Sequence, residues 1–209
     1  MEIKIEQLEK YHDSRQILQI PEFTFEKGLI HQLNGSNGAG KSTLFEILAQ
    51  LDEAYTGRVL FDGQDIRTIR RDGTVVNQVF QKPVMLHRTV RENIFYPLRL
   101  KGVPDATLQE KLDFYLNYLP LGFLLDQKAT KLSLGEAQKV SLIRGLMLAT
   151  PILLLDEPFS AMDRPSREQG LDMIMAHQRA HHSTIIVISH REIEHDMMNQ
   201  VILEGGTLQ

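Results

Sequence analysis

The sequence contains no cysteine. Without thiols there is no disulfide framework and no thiolate metal site, and the composition suits a reducing compartment. Long apolar runs are missing as well. The longest, Ile152–Leu155 and Ile185–Ile188, are four residues each, whereas a membrane-spanning helix needs about 20 mostly apolar residues. The first residues, Met1-Glu2-Ile3-Lys4-Ile5-Glu6, have no apolar core of the kind a secretory signal requires. Positive charge is not in surplus: 23 Lys and Arg stand against 27 Asp and Glu, a formal net charge of −4. That balance argues against broad electrostatic capture of nucleic acid or acidic lipid. There is no internal repeat, low-complexity tract or linker rich in Gly, Ser or Pro to mark a domain boundary. Together these absences predict a soluble, cytoplasmic chain; if it works at a membrane, other chains supply the spans.

What is present is ordinary globular material. The 209 residues, 42% apolar and 24% charged, predict one domain, or a core with a small subdomain, and exclude disordered, collagen-like and coiled-coil classes. Ile3 and Ile5 alternate with charges, as do Phe23 and Phe25 with Thr24 and Glu26, which predicts half-buried strands. Lys27-Gly28 reads as a turn, and Leu29–Leu33 as a strand running into a glycine loop followed by a helix over Thr43–Leu51. Val59-Leu60-Phe61 before Asp62-Gly63 predicts half of a hairpin, and Thr74–Phe80 a further strand. From about 86 to 148 the pattern is helical. Leu108, Leu112, Tyr115, Leu116 and Leu119 share one face, and Thr107 with Glu110 predicts a capping-box start. Apolar strands at Ile152–Leu155 and Thr184–Ile188 flank a helical stretch around Arg167–Arg179, and a last strand, Val201-Ile202-Leu203, ends at Gly205-Gly206. Apolar strands alternating with helices predict an α/β fold with a mostly parallel sheet covered on both faces. The helical block from 86 to 148 reads as an insertion between strands.

Two motifs carry chemistry. Gly35-Ser36-Asn37-Gly38-Ala39-Gly40-Lys41-Ser42-Thr43 fits G-x-x-x-x-G-K-[ST]. Its glycines let the backbone curl so that successive N–H groups face phosphate oxygens. Lys41 supplies charge for the β- and γ-phosphates, and the Ser42 hydroxyl is offered to Mg²⁺. The required strand before and helix after are both predicted, which sets this match apart from a chance glycine-rich turn. In Ile152-Leu153-Leu154-Leu155-Asp156-Glu157-Pro158 a buried strand ends in two adjacent carboxylates. Burying them is costly unless cations or hydrogen bonds compensate. Asp156 is then a candidate Mg²⁺ ligand through water, and Glu157 a candidate to polarise the attacking water. These two motifs alone reach an unspecified phosphate-loop nucleotidase.

Further elements narrow this. Leu132-Ser133-Leu134-Gly135-Glu136-Ala137-Gln138-Lys139-Val140 precedes Asp156, Tyr11 lies upstream of the glycine loop, and Gln81 follows a strand. Ser160-Ala161-Met162-Asp163 comes after Glu157, and His190 ends the Ile185–Ile188 strand. In this order and spacing the set resembles the ATP-binding cassette (ABC) ATPases over essentially the whole chain. The resemblance implies a RecA-like P-loop core with a mostly parallel sheet, an antiparallel β subdomain, and an inserted helical subdomain carrying the signature. It implies that Tyr11 stacks on adenine, and that Gly35–Thr43, with Asn34 before it, forms the Walker A loop. Asp156 becomes the Walker B aspartate and Glu157 the catalytic glutamate. Gln81 becomes a Mg²⁺-touching sensor of the transporter, and His190 the switch histidine at the γ-phosphate. Ser133, Gly135 and Glu136 then act on the nucleotide of a second cassette, and Asp163 couples the two sites. ATP and Mg²⁺ are the implied cofactors. The implied partners are a second subunit, in a homodimer, and transmembrane permease subunits, with the chain peripheral on the cytoplasmic face of the membrane.

Other readings of the same residues stand beside these. Tyr11 fits a half-buried strand aromatic, and Gln81 before Lys82-Pro83 a plain strand end. Ser189–Glu192 is a capping box that makes His190 a first-turn residue, and Ser133 with Glu136 is another. The adjacent His181-His182 side chains diverge, as neighbours on any regular element do, and read as a solvated turn rather than ligands. Leu134 departs from the family, which has glycine there; it adds bulk where the partner's triphosphate would lie and removes access to positive φ. Thr89-Val90-Arg91-Glu92-Asn93-Ile94, within Pro83–Leu100, resembles the permease-coupling region of importers. The rivals are a cassette ATPase of a soluble machine and a small-molecule kinase, which would leave Ser133–Glu136 and His190 unexplained.

Overall fold

The computed structural model describes residues 1–189 and 198–209. The chain opens with β1 (Ile3–His12), β2 (Arg15–Phe25) and β3 (Ile30–Asn34), then the glycine loop and α1 (Lys41–Leu48). Next come β4 (Thr56–Phe61), β5 (Gln64–Asp65) and β6 (Val76–Val79). Three helices follow before the sheet resumes: α2 (Val90–Leu100), α3 (Asp105–Leu116) and α4 (Leu134–Met147). Then β7 (Ile152–Asp156), α5 (Arg164–His181), β8 (Thr184–Ile188), β9 (Met198–Glu204) and β10 (Thr207–Leu208) complete the described residues.

Two sheets result. β2-β1-β4-β5 is antiparallel throughout, joined at β4–β5 by Asp62-Gly63, whose φ values of 46° and 83° mark the mirror-image turn that a two-residue hairpin prefers. The larger sheet, β10-β9-β3-β8-β7-β6, is parallel except for the β9–β10 hairpin. Its interior strands β7 and β8 read as unbroken apolar runs because both faces are covered. One face packs on α1 and the antiparallel sheet through Leu44, Phe45, Leu154 and Ile186. The other packs on the helices through Leu142, Leu146, Leu153 and Ile174. The α/β expectation and the antiparallel companion sheet hold.

Two local expectations need correction. The capping box at Thr107 does not form: α3 already starts at Asp105, with Pro104 as its N-cap. Proline pre-sets φ for a helix entry and Asp105 brings negative charge to the first turn, so the chain enters the helix three residues early. A capping box forms instead at Thr89, where the Thr89 hydroxyl accepts from the Glu92 N–H at 3.2 Å and the Glu92 carboxylate accepts from the Thr89 N–H at 2.9 Å. The strand through Val201-Ile202-Leu203 does end at Gly205-Gly206, but it is not the last, because the two glycines turn β9 back into β10.

One buried polar cluster carries a pH prediction. His177 of α5 is 1% exposed; its Nδ1 lies 2.8 Å from the Tyr115 hydroxyl, which also reaches the Leu146 carbonyl at 3.2 Å. Its Nε2 has no hydrogen-bond partner among the described residues. Burial, reinforced by His181 and Lys111, pulls the imidazole down to about 3 from an ordinary 6.5. The folded chain therefore refuses a proton that the unfolded chain accepts below about 6.5. Stability from this site is full above that pH and is lost as pH falls towards 3. At pH 5 the loss is about 2 kcal/mol. Thermal melts from pH 7 to 4.5 should fall less steeply for His177→Phe than for the wild type; equal slopes would refute the assignment.

Candidate functional site

In a parallel sheet the strand ends collect at one edge, and here β3, β7 and β8 bring Asn34, Asp156 and Ile188 there together. A cavity of about 390 Å³ opens at that edge, lined by Gly38, Lys41 and Ser42 together with Asp156 and Glu157. That size falls in the range of small-ligand sites.

The glycine loop is held closed on itself. The Ala39 N–H donates to the Ser36 carbonyl at 3.2 Å, and the Lys41 ammonium donates to the Gly35 and Ser36 carbonyls at 2.6 and 3.0 Å. Lys41 is only 9% exposed and lines the cavity, so its charge is largely shielded from bulk solvent. Gly40 has φ 104°, and a Cβ there would meet the Leu18 side chain at 2.7 Å. Only glycine lets the loop turn into α1 beneath the β1–β2 hairpin. Thr89, Ser133 and Asp163 cap α2, α4 and α5 with their side chains. Among the described residues no side chain caps α1, and its first turn has no acidic residue. The first N–H groups of α1 are thus left for an anion, supported by the positive end of the helix dipole.

β7 delivers the carboxylates. Asp156 is its last residue, and Glu157 turns the chain with φ 48°, a conformation that costs a non-glycine residue energy and clusters at functional positions. The turn is pinned at both ends: the Glu157 N–H donates to the Ile188 carbonyl at 3.0 Å, and the Ser160 N–H donates to the Glu157 carbonyl at 3.2 Å. Glu157 is 7% exposed and Asp156 half-buried. Two carboxylates that share a cavity with a lysine and free helix N–H groups form a donor set that fits a polyphosphate with a hard divalent cation.

Of the other candidates, Gln81 reaches the cavity wall from the segment after β6. Tyr11 does not: it pairs with Gln16 near the end of the β1–β2 hairpin, is 47% exposed, and is not among the residues lining the cavity. The hairpin contributes Arg15 and Ile17 instead, which the sequence did not single out because strand pairing alone brings them to the glycine loop. His190 lies outside the described residues.

The signature segment lies elsewhere on the surface. Ser133 caps α4, its hydroxyl accepting from the Glu136 N–H at 3.3 Å, while the Glu136 carboxylate accepts from the Ser133 N–H and hydroxyl at 2.8 and 2.7 Å. Those bonds from Ser133 hold the Glu136 carboxyl below its usual range, so it stays ionised at neutral pH. Leu134, the first residue of α4, is 60% exposed, so its bulk faces outward. Gly135 is required for contact: a Cβ there would lie 2.7 Å from the Ala161 carbonyl. Asp163 accepts from the Ser166 N–H at 3.0 Å as the cap of α5.

With this geometry in place, the comparisons with known proteins are specific. A family profile described as "ABC transporter" matches residues 18–160. The tungstate uptake system ATP-binding protein of Peptoclostridium acidaminophilum is 36% identical over 208 residues, covering 99% of this chain and 96% of that protein. A spermidine/putrescine import ATP-binding protein of Mannheimia succiniciproducens is 29% identical; the chain spans only 56% of its length. The structure of cbiO1 from Clostridium perfringens, part of the ABC transporter complex cbiONQ, superposes with a TM-score of 0.83 at 24% identity, covering 99% of this chain and 86% of that one.

Proposed function

The chain belongs to the ABC transporter family as an ATP-binding and ATP-hydrolysing subunit, and from that premise we propose which residues carry the reaction and what the subunit drives. The single observation that carries the site assignment is the cavity holding Lys41, Ser42, Asp156, Glu157 and Gln81 together at the sheet edge. The N–H groups of residues 38–43 and the Lys41 ammonium hold the β- and γ-phosphates. Ser42, Asp156 and Gln81 hold Mg²⁺, which when bound offsets charge on the phosphate oxygens. Glu157 takes the proton of the attacking water, and its turn, pinned to Ile188 and Ser160, fixes where that base stands. His190 supplies a γ-phosphate contact, and Tyr11, exposed on the hairpin outside the cavity, stacks on an adenine that projects beyond it. Ser133, Gly135 and Glu136 meet the nucleotide of a second copy across a dimer interface.

The subunit works on the cytoplasmic side of a membrane by docking on a separate permease. Among the described residues no helix is long and apolar enough to cross a bilayer. A groove of about 230 Å³ between β6, α2 and α4 is flanked by Phe80 at 50% and Val84 at 69% exposure, an apolar surface suited to an inserted permease segment. The full-length similarity to a tungstate uptake subunit favours an importer of a small oxyanion. The test is capture of the purified protein by vesicles carrying the permease. Phe80→Asp should lose capture at least tenfold while its hydrolysis without permease stays within about twofold, since Phe80 does not line the nucleotide cavity. A variant captured like the wild type would remove the groove assignment, and no capture of either protein would favour a soluble machine.

A further inference from the structure

Gln138 is a glutamine inside α4, 4% exposed, on a helix whose other inward positions are mostly apolar. A buried carboxamide must place two N–H donors and one acceptor or lose the hydration it gave up. Gln138 places them on two loops rather than on its own helix. Its Oε1 accepts from the Ala161 N–H at 2.8 Å. Its Nε2 donates to the Ser160 hydroxyl oxygen at 2.6 Å and, more distantly, to the Gln81 carbonyl at 3.4 Å. Ser160 closes the turn that begins at Glu157, since its N–H donates to the Glu157 carbonyl at 3.2 Å. Gln81 and Glu157 are both walls of the nucleotide cavity. One turn of α4 earlier, Gly135 rests against the Ala161 carbonyl, so the helix grips the 160–161 segment at two points.

We infer that Gln138 is a positioning residue for hydrolysis, which from within α4 holds the Glu157–Ala161 turn and the Gln81 segment in register. It touches no nucleotide. It fixes the separation between the base and the glutamine across the reacting water, and it passes any displacement of α4 to both. The inference rests on the assignment of Glu157 and Gln81 to ATP hydrolysis. When positioning carries a reaction, an error of about 1 Å costs on the order of a hundredfold in rate, whereas the phosphate cradle at Lys41 is built from other segments and should keep its affinity.

Steady-state hydrolysis and fluorescent-nucleotide titration of the full chain separate these effects. Gln138→Leu should lower kcat about 10- to 100-fold with ATP affinity within about threefold of wild type. Gln138→Glu, which still accepts from Ala161 and reaches Ser160, should recover part of that loss and guards against a leucine variant that fails to fold. Ser160→Ala should lie between wild type and Gln138→Leu. In single-turnover measurements, Gln138→Leu added to Glu157→Gln should slow the reaction far less than it slows the wild type, because the group it positions is already gone. A folded Gln138→Leu with wild-type kcat would overturn the inference alone. So would equal slowing in both backgrounds, or affinity and kcat falling together in the leucine and glutamate variants, since these mark a structural role. A wild-type protein that binds but does not hydrolyse ATP would instead overturn the assignment of Glu157, and this inference with it.

Discussion

Lys41→Ala is expected to weaken MgATP binding by about 30-fold to several thousandfold, because removing one member of a buried charge pair costs about 2–5 kcal/mol. The ammonium belongs to the first residue of α1 and lines the cavity, and it already donates to the Gly35 and Ser36 carbonyls. A phosphate arriving there takes over those donors with full charge, a stronger acceptor than a carbonyl. The substitution also frees the loop from two tethers, so melts should accompany the titration. A folded variant with unchanged nucleotide affinity would remove the phosphate-loop assignment.

Glu157→Gln is expected to slow ATP turnover by about 10²- to 10⁴-fold, the span a positioned general base supplies, while leaving nucleotide bound. The amide keeps the size of the carboxylate and adds no strain to a turn set by backbone bonds to Ile188 and Ser160. With chemistry stalled and binding intact, the ATP-bound form should accumulate. Sizing chromatography with MgATP should then show a dimer where the wild type runs as a monomer. Turnover at the wild-type rate would show that another group removes the proton.

What sequence reasoning could reach follows a simple division. Gly35–Thr43 and Asp156-Glu157 are legible because each function is packed into consecutive residues, and strand and helix context is local. The same holds for the Ser133–Glu136 cap, three residues apart on one helix end. Arg15 and Ile17 were invisible because nothing near them in sequence says that β2 will lie over the glycine loop. Gln138 was invisible for the same reason, its partners being Gln81, Ser160 and Ala161. The Thr107 box failed because two competing signals, Pro104 and Asp105, sat just upstream. The short β5 and β10 have too few residues to show alternation and exist only through their hairpin turns.

The order β10-β9-β3-β8-β7-β6 also has a consequence for how the chain acquires its shape. Strand β3, which delivers the glycine loop, is hydrogen-bonded among the described strands to β8 and β9, with Ile30 beside Ile185 and Met198. During synthesis the ribosome makes β3 early, but neither neighbour exists until residues 184–204 have emerged. Until then a strand that is buried in the finished fold must wait with both edges open, shielded by α1 and the first hairpins. Pairings of such wide sequence separation are slow to form and expose the nascent chain to aggregation. The antiparallel sheet, by contrast, is complete once Asp65 has been made. The nucleotide site should therefore be the last part of the molecule to be born, and a nascent chain arrested before β8 should carry the whole phosphate-binding motif yet retain no nucleotide.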